Sequence, residues 1–206
     1  MMYYFKVGGP LMWILFILSL ISTTVIIERL FFFFKKEKTM NRNFRKEVIL
    51  AVSNRDMCRI IEICDKERNS VGCTVKKFLC RCNICDTNLK DFHQFDQIIK
   101  EIEMDEISPL EKRLHILGII AHVAPMLGLL GTVTGMIDAF KDLSKFGAGD
   151  HTIVADSISK ALITTAAGLS IAIPALVVYN LLNKRIEEIE EEIDKITTNV
   201  INIVRG

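Results

Sequence analysis

Three stretches without a formal charge decide what this chain can fold into: residues 11–27, 116–137 and 161–183, of 17, 22 and 23 residues. A bilayer core about 30 Å thick is crossed by roughly 20 helical residues. The second and third runs meet that length outright. The first meets it once Gly9, Pro10 and the four phenylalanines at 31–34 are counted at the membrane surface. Three such runs in one short chain exclude an ordinary soluble domain. The expected fold class is therefore all-α, an integral membrane protein with three transmembrane helices and the lipid bilayer as its solvent. With 26 basic residues against 25 acidic ones, the charge balance gives no sign of a nucleic-acid partner.

The first run does not read as a cleaved leader. Only Lys6 precedes it, no small-x-small site follows, and it ends in Glu28, Arg29 and the row of phenylalanines, as an uncleaved anchor would. Orientation follows from the basic residues beside the spans. Arg29, Lys35, Lys36, Lys38, Arg42, Arg45 and Lys46 follow the first span, Lys112 and Arg113 precede the second, and Lys184 and Arg185 follow the third. All of these ends are expected in the cytoplasm, with the amino terminus outside and the carboxyl terminus inside.

The expected division is then 1–34 for the outer amino terminus and first span, 35–113 for a cytoplasmic helical insertion, and 114–140 for the second span. A short outer connection covers 141–157, the third span 158–183, and an amphipathic cytoplasmic helix 184–206. The insertion carries 17 basic and 14 acidic residues in 79, and its apolar spacing is helical. Ile60, Ile61, Ile63 and Cys64 form one face, Val75, Phe78, Leu79 and Cys82 a second, and Phe92, Phe95, Ile98, Ile99 and Ile102 a third. Pro109 is expected to mark a bend or restart before the second span.

All six cysteines fall in the insertion, at 58, 64, 73, 80, 82 and 85. Cys80, Cys82 and Cys85 with Cys73 or His93 would suit a thiolate-binding metal. There is only one Cys-x-x-Cys pair, and the paired arrangement of a zinc ribbon is missing. Reduced cytosolic thiols on helix faces are the preferred reading, with neither a metal nor a disulfide framework expected. In the tail, Ile186, Ile189, Ile193, Ile196, Val200 and Ile203 are spaced 3, 4, 3, 4, 3. That seam packs on another helix, either of the insertion or of a neighbouring subunit.

The second and third spans carry the informative chemistry. Gly118, Ala121, Pro125, Gly128, Thr132, Gly135 and Ala139 alternate spacings of 3 and 4, and so do Ala161, Thr165, Gly168, Ala172 and Ala175. Each helix thus has a face of small side chains with one threonine. Small residues let helix backbones approach closely in lipid. Such faces serve plain pairing of the two spans, or they line a narrow channel in which Thr132 and Thr165 supply hydroxyls. His122 is the one ionisable side chain within 116–137, and 161–183 has none. A proton crossing here would need an acid from another polypeptide, while His122 is expected as a neutral imidazole bonded to nearby backbone rather than as a relay.

Residues 122–140, HVAPMLGLLGTVTGMIDAF, and 158–180, ISKALITTAAGLSIAIPALVVYN, together resemble the paired signature of the MotA/TolQ/ExbB proton channel family, nearest its ExbB/TolQ branch. The resemblance implies a homopentamer in the bacterial inner membrane, with the second and third helices around a central pore. A dimer of single-span ExbD- or TolR-like proteins would fill the pore and supply a membrane aspartate, and force would pass to a TonB- or TolA-like protein. Proton flow would drive that motor to energise nutrient import, as in the ExbB type, or envelope maintenance, as in the TolQ type. By motif, Thr132 and Thr165 match the family's pore-facing threonines, Pro125 and Pro174 its helix prolines, and Gly128, Gly131, Gly135 and Gly168 positions of close approach.

One position departs from that pattern: Lys160 stands where the branch usually has glutamate. It can pair with Asp156 one turn earlier, face the partner's aspartate and favour its ionised form, or mark a chain that no longer conducts. The rival reading is a non-conducting oligomeric membrane scaffold. Nothing in the sequence suggests an enzyme, since no nucleotide loop, cofactor motif or catalytic constellation is found.

Overall fold

The computed structural model describes residues 9–37, 43–67, 69–82, 92–146 and 151–205. The described residues form helices α1 (Gly9–Lys36), α2 (Phe44–Ser53), α3 (Met57–Lys66), α4 (Ser70–Cys82), α5 (Phe92–Glu111), α6 (Leu114–Phe146) and α7 (His151–Arg205), and no strand occurs among them. The protein is an all-helical integral membrane protein. Helices α1, α6 and α7 are each long and apolar enough to cross a bilayer.

Where each helix starts and stops has local causes. The Asp56 carboxylate accepts the Arg59 amide at 3.1 Å and caps α3. Pro109 lies inside α5 and Pro125 and Pro174 inside α6 and α7, so none of the three ends its helix. The restart before the second span comes instead at Arg113, whose φ of 65° places it in the left-handed region. Helix α7 runs for 55 residues without a break, so the third span and the charged tail share one backbone ladder.

The chain forms two compact units, Met1–Glu28 with Arg113–Leu181 and Arg29–Lys112 with Leu182–Gly206. The first is the membrane unit. Its core joins Met12, Leu15 and Val25 of α1 to Leu117, Ile120, Ala121 and Ala124 of α6 and to Ala172 and Ala175 of α7. Four of these nine side chains are alanine, which keeps the helices close, while Trp13, Phe16, Met126, Leu129, Leu162 and Ile173 point outward as a lipid-facing surface requires. Glu28 and Arg113 form an ion pair between α1 and the residue preceding α6.

The second unit has an ordinary aliphatic and aromatic core. Phe44, Val48, Val75, Phe78, Leu79, Ile102 and Leu110 are buried there, and the rings of Phe78 and Phe95 meet edge to face at 6.2 Å. Of the two partners open to the tail seam, the one observed lies in the same chain: Ile186, Ile189, Ile193, Ile196 and Val200 are buried in this unit, and Arg45 of α2 reaches Glu192 of α7 at 3.8 Å. Arg29 is also buried, with its Nη1 donating to the Pro109 carbonyl at 3.1 Å and its guanidinium 5.1 Å from the centre of the Phe32 ring. Buried arginine is retained here because a carbonyl at the end of α5 and an aromatic face both accept its charge.

Candidate functional site

The small-residue faces of α6 and α7 meet each other. A Cβ placed on Gly128 would lie 3.0 Å from Thr165 Cα, one on Gly168 2.5 Å from the Ala124 carbonyl oxygen, and one on Gly135 2.6 Å from Ala161 Cβ. The separations at Gly168 and Gly135 are shorter than real Cβ atoms tolerate and that at Gly128 is tighter than nearly all of them, so the glycines set how closely the helices approach. Gly131 faces Thr164 in the same way, at 2.7 Å from its Cβ, and Gly118 lies beneath the Tyr179 ring.

Within this contact a hydrogen bond joins the two spans: the Thr165 hydroxyl donates to the Gly128 carbonyl at 2.8 Å. A hydroxyl that donates once keeps lone pairs with which to accept. Thr165 is half-buried, as is Thr132, whose hydroxyl donates to the Leu129 carbonyl of its own helix at 2.7 Å. His122 is exposed on the outer side of α6, where Nδ1 donates to the Gly118 carbonyl at 2.7 Å. Pro125 is half-buried and Pro174 exposed.

At one end of the spans, Lys160 pairs with Asp156 at 2.6 Å, and Asp138 pairs with Lys141 at 3.1 Å. Each pair lies on a single helix, one turn apart; Asp138, Lys141 and Asp156 are exposed and Lys160 is half-buried. The Lys160–Asp156 pair corresponds to the first of the three readings open to Lys160.

Thr164 was not singled out by the spacing argument, yet it is the buried threonine of the pair, 2 % exposed, and bonds the Lys160 and Ala161 carbonyls of its own helix. Threonines at adjacent positions cannot both continue one 3–4 stripe, and stripe counting favoured Thr165. The signal that finds Thr164 is Gly131, which carries no side chain where Thr164 projects. Ala124 was likewise passed over, because only its carbonyl matters to Gly168.

The insertion's cysteines do not assemble into a described site. Cys58 and Cys80 are exposed, Cys73 is half-buried and Cys64 is buried. Cys85 and the side chains of Cys82 and His93 lie outside the described residues, so the four-ligand grouping is not placed by the structure. Burial pushes the Cys64 thiol up to about 12, with Asp65 adding to the effect, and burial also raises Cys73. A thiol held protonated in this way is a poor metal ligand and a poor nucleophile.

Comparison with known proteins bears on the same helices. The sequence profile of the MotA/TolQ/ExbB proton channel family matches residues 75–195, more than half of the chain. The Tol-Pal system protein TolQ of Haemophilus influenzae is 44% identical over 97 residues, covering 45% of this chain and 42% of its own length. Biopolymer transport protein exbB1 of Vibrio cholerae is 33% identical over 117 residues, 54% of this chain and 51% of that one. Biopolymer transport protein ExbB of Pseudomonas putida is 35% identical over 89 residues, 43% of this chain and 27% of that one. The chain thus aligns with about half or less of the length of each of these relatives.

Proposed function

The chain belongs to the MotA/TolQ/ExbB proton channel family, and from that membership we propose that it is the ExbB/TolQ-like subunit of an inner-membrane motor driven by the proton-motive force. Five copies surround a pore with their second and third spans. A dimer of single-span ExbD- or TolR-like proteins occupies it and supplies the titrating aspartate, and a TonB- or TolA-like protein carries the force to the envelope. The amino terminus faces the periplasm, and the second unit lies in the cytoplasm.

The observation that carries this reading is the pairing of α6 and α7. The two spans are fixed to one another through Gly128, Gly168 and the Thr165 bond, and neither uncharged run holds a carboxylate. A rigid wall without its own acid is what a partner-supplied proton carrier needs, because a charge at mid-membrane costs at least about 2.5–3.5 kcal/mol and is kept only where it works. Thr132 and Thr165, half-buried and with lone pairs to spare, face the ion path. His122 is bonded through Nδ1 to the Gly118 carbonyl of its own helix, an arrangement that supports a structural role over a relay. One elementary charge crossing 100 mV yields roughly 2.3 kcal/mol to drive rotation. Lys160, held by Asp156, sits at the rim, where its charge stands in place of the branch's usual glutamate.

Co-expression with an ExbD- or TolR-like single-span protein, followed by native mass spectrometry of the purified complex, tests the assembly. A pentamer carrying a partner dimer is expected. A monomer, or an oligomer that never acquires the partner, contradicts it.

A further inference from the structure

The membrane unit contains a second feature, which borders the α6–α7 contact, shares Gly131, Gly135, Ala161 and Thr164 with it, and takes in Lys160. A groove of about 450 Å³ opens among α1, α6 and α7, lined by Leu11, Thr134, Gly135, Asp138, Ser157 and Lys160 among others. Its charged side chains are confined to one end of the helices. Asp138 is one residue beyond the uncharged run ending at 137, and Lys160 is one residue before the run beginning at 161. The mouth therefore lies where the hydrocarbon gives way to headgroups, and the groove reaches down to Leu130 and Thr164, within the apolar layer.

We propose that this groove binds an aminophospholipid, with the phosphate of phosphatidylethanolamine on Lys160 and its ammonium on Asp138. Charge decides among lipid classes. The two ion pairs at the mouth, Asp138 with Lys141 and Lys160 with Asp156, sum to zero. An anionic headgroup would add an unbalanced charge beside two carboxylates. A zwitterion adds none, and its two ends can bond Lys160 and Asp138 while these keep Asp156 and Lys141, since an ammonium has three donors and a carboxylate several acceptor sites. Choline lacks the N–H donors with which an ammonium bonds a carboxylate, so ethanolamine fits Asp138 better. Ser157 and Thr134 add hydroxyls at the same level, and the volume falls within the range of small-ligand sites. The bound lipid would hold the start of α1 against the α6–α7 pair.

The test uses the full chain in mild detergent, stripped of lipid and then offered phosphatidylethanolamine, phosphatidylcholine or phosphatidylglycerol, with retained lipid counted by native mass spectrometry. Phosphatidylethanolamine should be retained in preference to the other two. Lys160→Met and Asp138→Asn should each lower its retention about ten-fold, the effect of losing one charge-assisted bond. Asp138 is exposed and Lys160 half-buried at the groove's mouth, and neither belongs to the apolar core, so helical circular dichroism should not change. Thr134→Phe, which fills the groove without altering charge, should also displace the lipid. Equal retention of the three lipids, or undiminished retention in all three variants, overturns the proposal. So does a photo-crosslinker at Thr134 that captures a second copy of the chain instead of lipid.

Discussion

The Thr165 hydroxyl and the Gly128 carbonyl, 2.8 Å apart, tie the third span to the second where Gly128 and Gly168 let their backbones approach. The bond is possible only because position 128 has no side chain to hold the helices apart. Thr165→Val keeps the shape of the side chain and removes the donor. It should cost about 1 kcal/mol of helix–helix stability, the usual value for an interhelical bond in a membrane. Thr165→Ser should cost less. Thermal unfolding in detergent, followed by circular dichroism, measures both.

The glycines should not tolerate alanine equally. At Gly168 the new methyl would meet the Ala124 carbonyl, fixed backbone that cannot swing aside, whereas at Gly118 it would meet the edge of the Tyr179 ring at 3.1 Å. Gly168→Ala should destabilise the membrane unit by about 1–3 kcal/mol, the range for overpacking, and Gly118→Ala by much less. Equal melting temperatures for the two variants would mean that the spans do not pack on these faces.

The three spans were legible because a charge-free run long enough to cross a bilayer is a local property of the chain. The close-packing faces were legible for a similar reason: Gly128, Gly135 and Gly168 repeat at helical spacing. What that spacing could not supply was the partner. Pairing of α6 with α7 and lining of a channel demand the same small residues, and the seam from Ile186 to Val200 fits any apolar helix. Only the fold assigns it to the chain's own second unit. The single ladder of α7 was also hidden, since a change from apolar to charged side chains at Lys184 suggests a boundary that backbone hydrogen bonds ignore. The break at Arg113 was assigned to Pro109, although a proline inside α5 can be accommodated and a left-handed residue cannot continue a helix.

Thiol reactivity should follow burial. At about pH 8 the exposed Cys58 and Cys80 should be alkylated readily in the folded protein, while Cys64, buried and pushed up to about 12, should stay protonated and unmodified until the second unit unfolds. Peptide mass spectrometry after a timed maleimide pulse gives the order. Early labelling of Cys64 would contradict its position in the core.

Two carboxyls in the second unit should make its stability depend on pH in a defined sense. Burial raises Glu103, with Asp194 and Glu190 adding to the effect against Lys100, and burial raises Glu190, with Glu111, Glu187 and Asp194 adding to it. A carboxyl raised in the folded state binds its proton more tightly there than in the unfolded chain. Its charge therefore destabilises the fold above the raised value, and the penalty disappears as pH falls to the ordinary 4.5. Glu103→Gln should accordingly be more stable than the parent at neutral pH, by a margin that shrinks to nothing below that value. A margin that grows on acidification would carry the wrong sign.

The most direct measurement is proton uptake into liposomes that hold this protein together with its single-span partner, driven by a potassium diffusion potential and read with a pH-sensitive dye. Uptake should require the partner's membrane aspartate, and it should fall in Thr165→Val and Thr132→Val while recovering in the serine variants. Uptake that is absent with the complete complex, or that is indifferent to both threonines and to the aspartate, would leave a scaffold that assembles through the same glycine faces and conducts nothing.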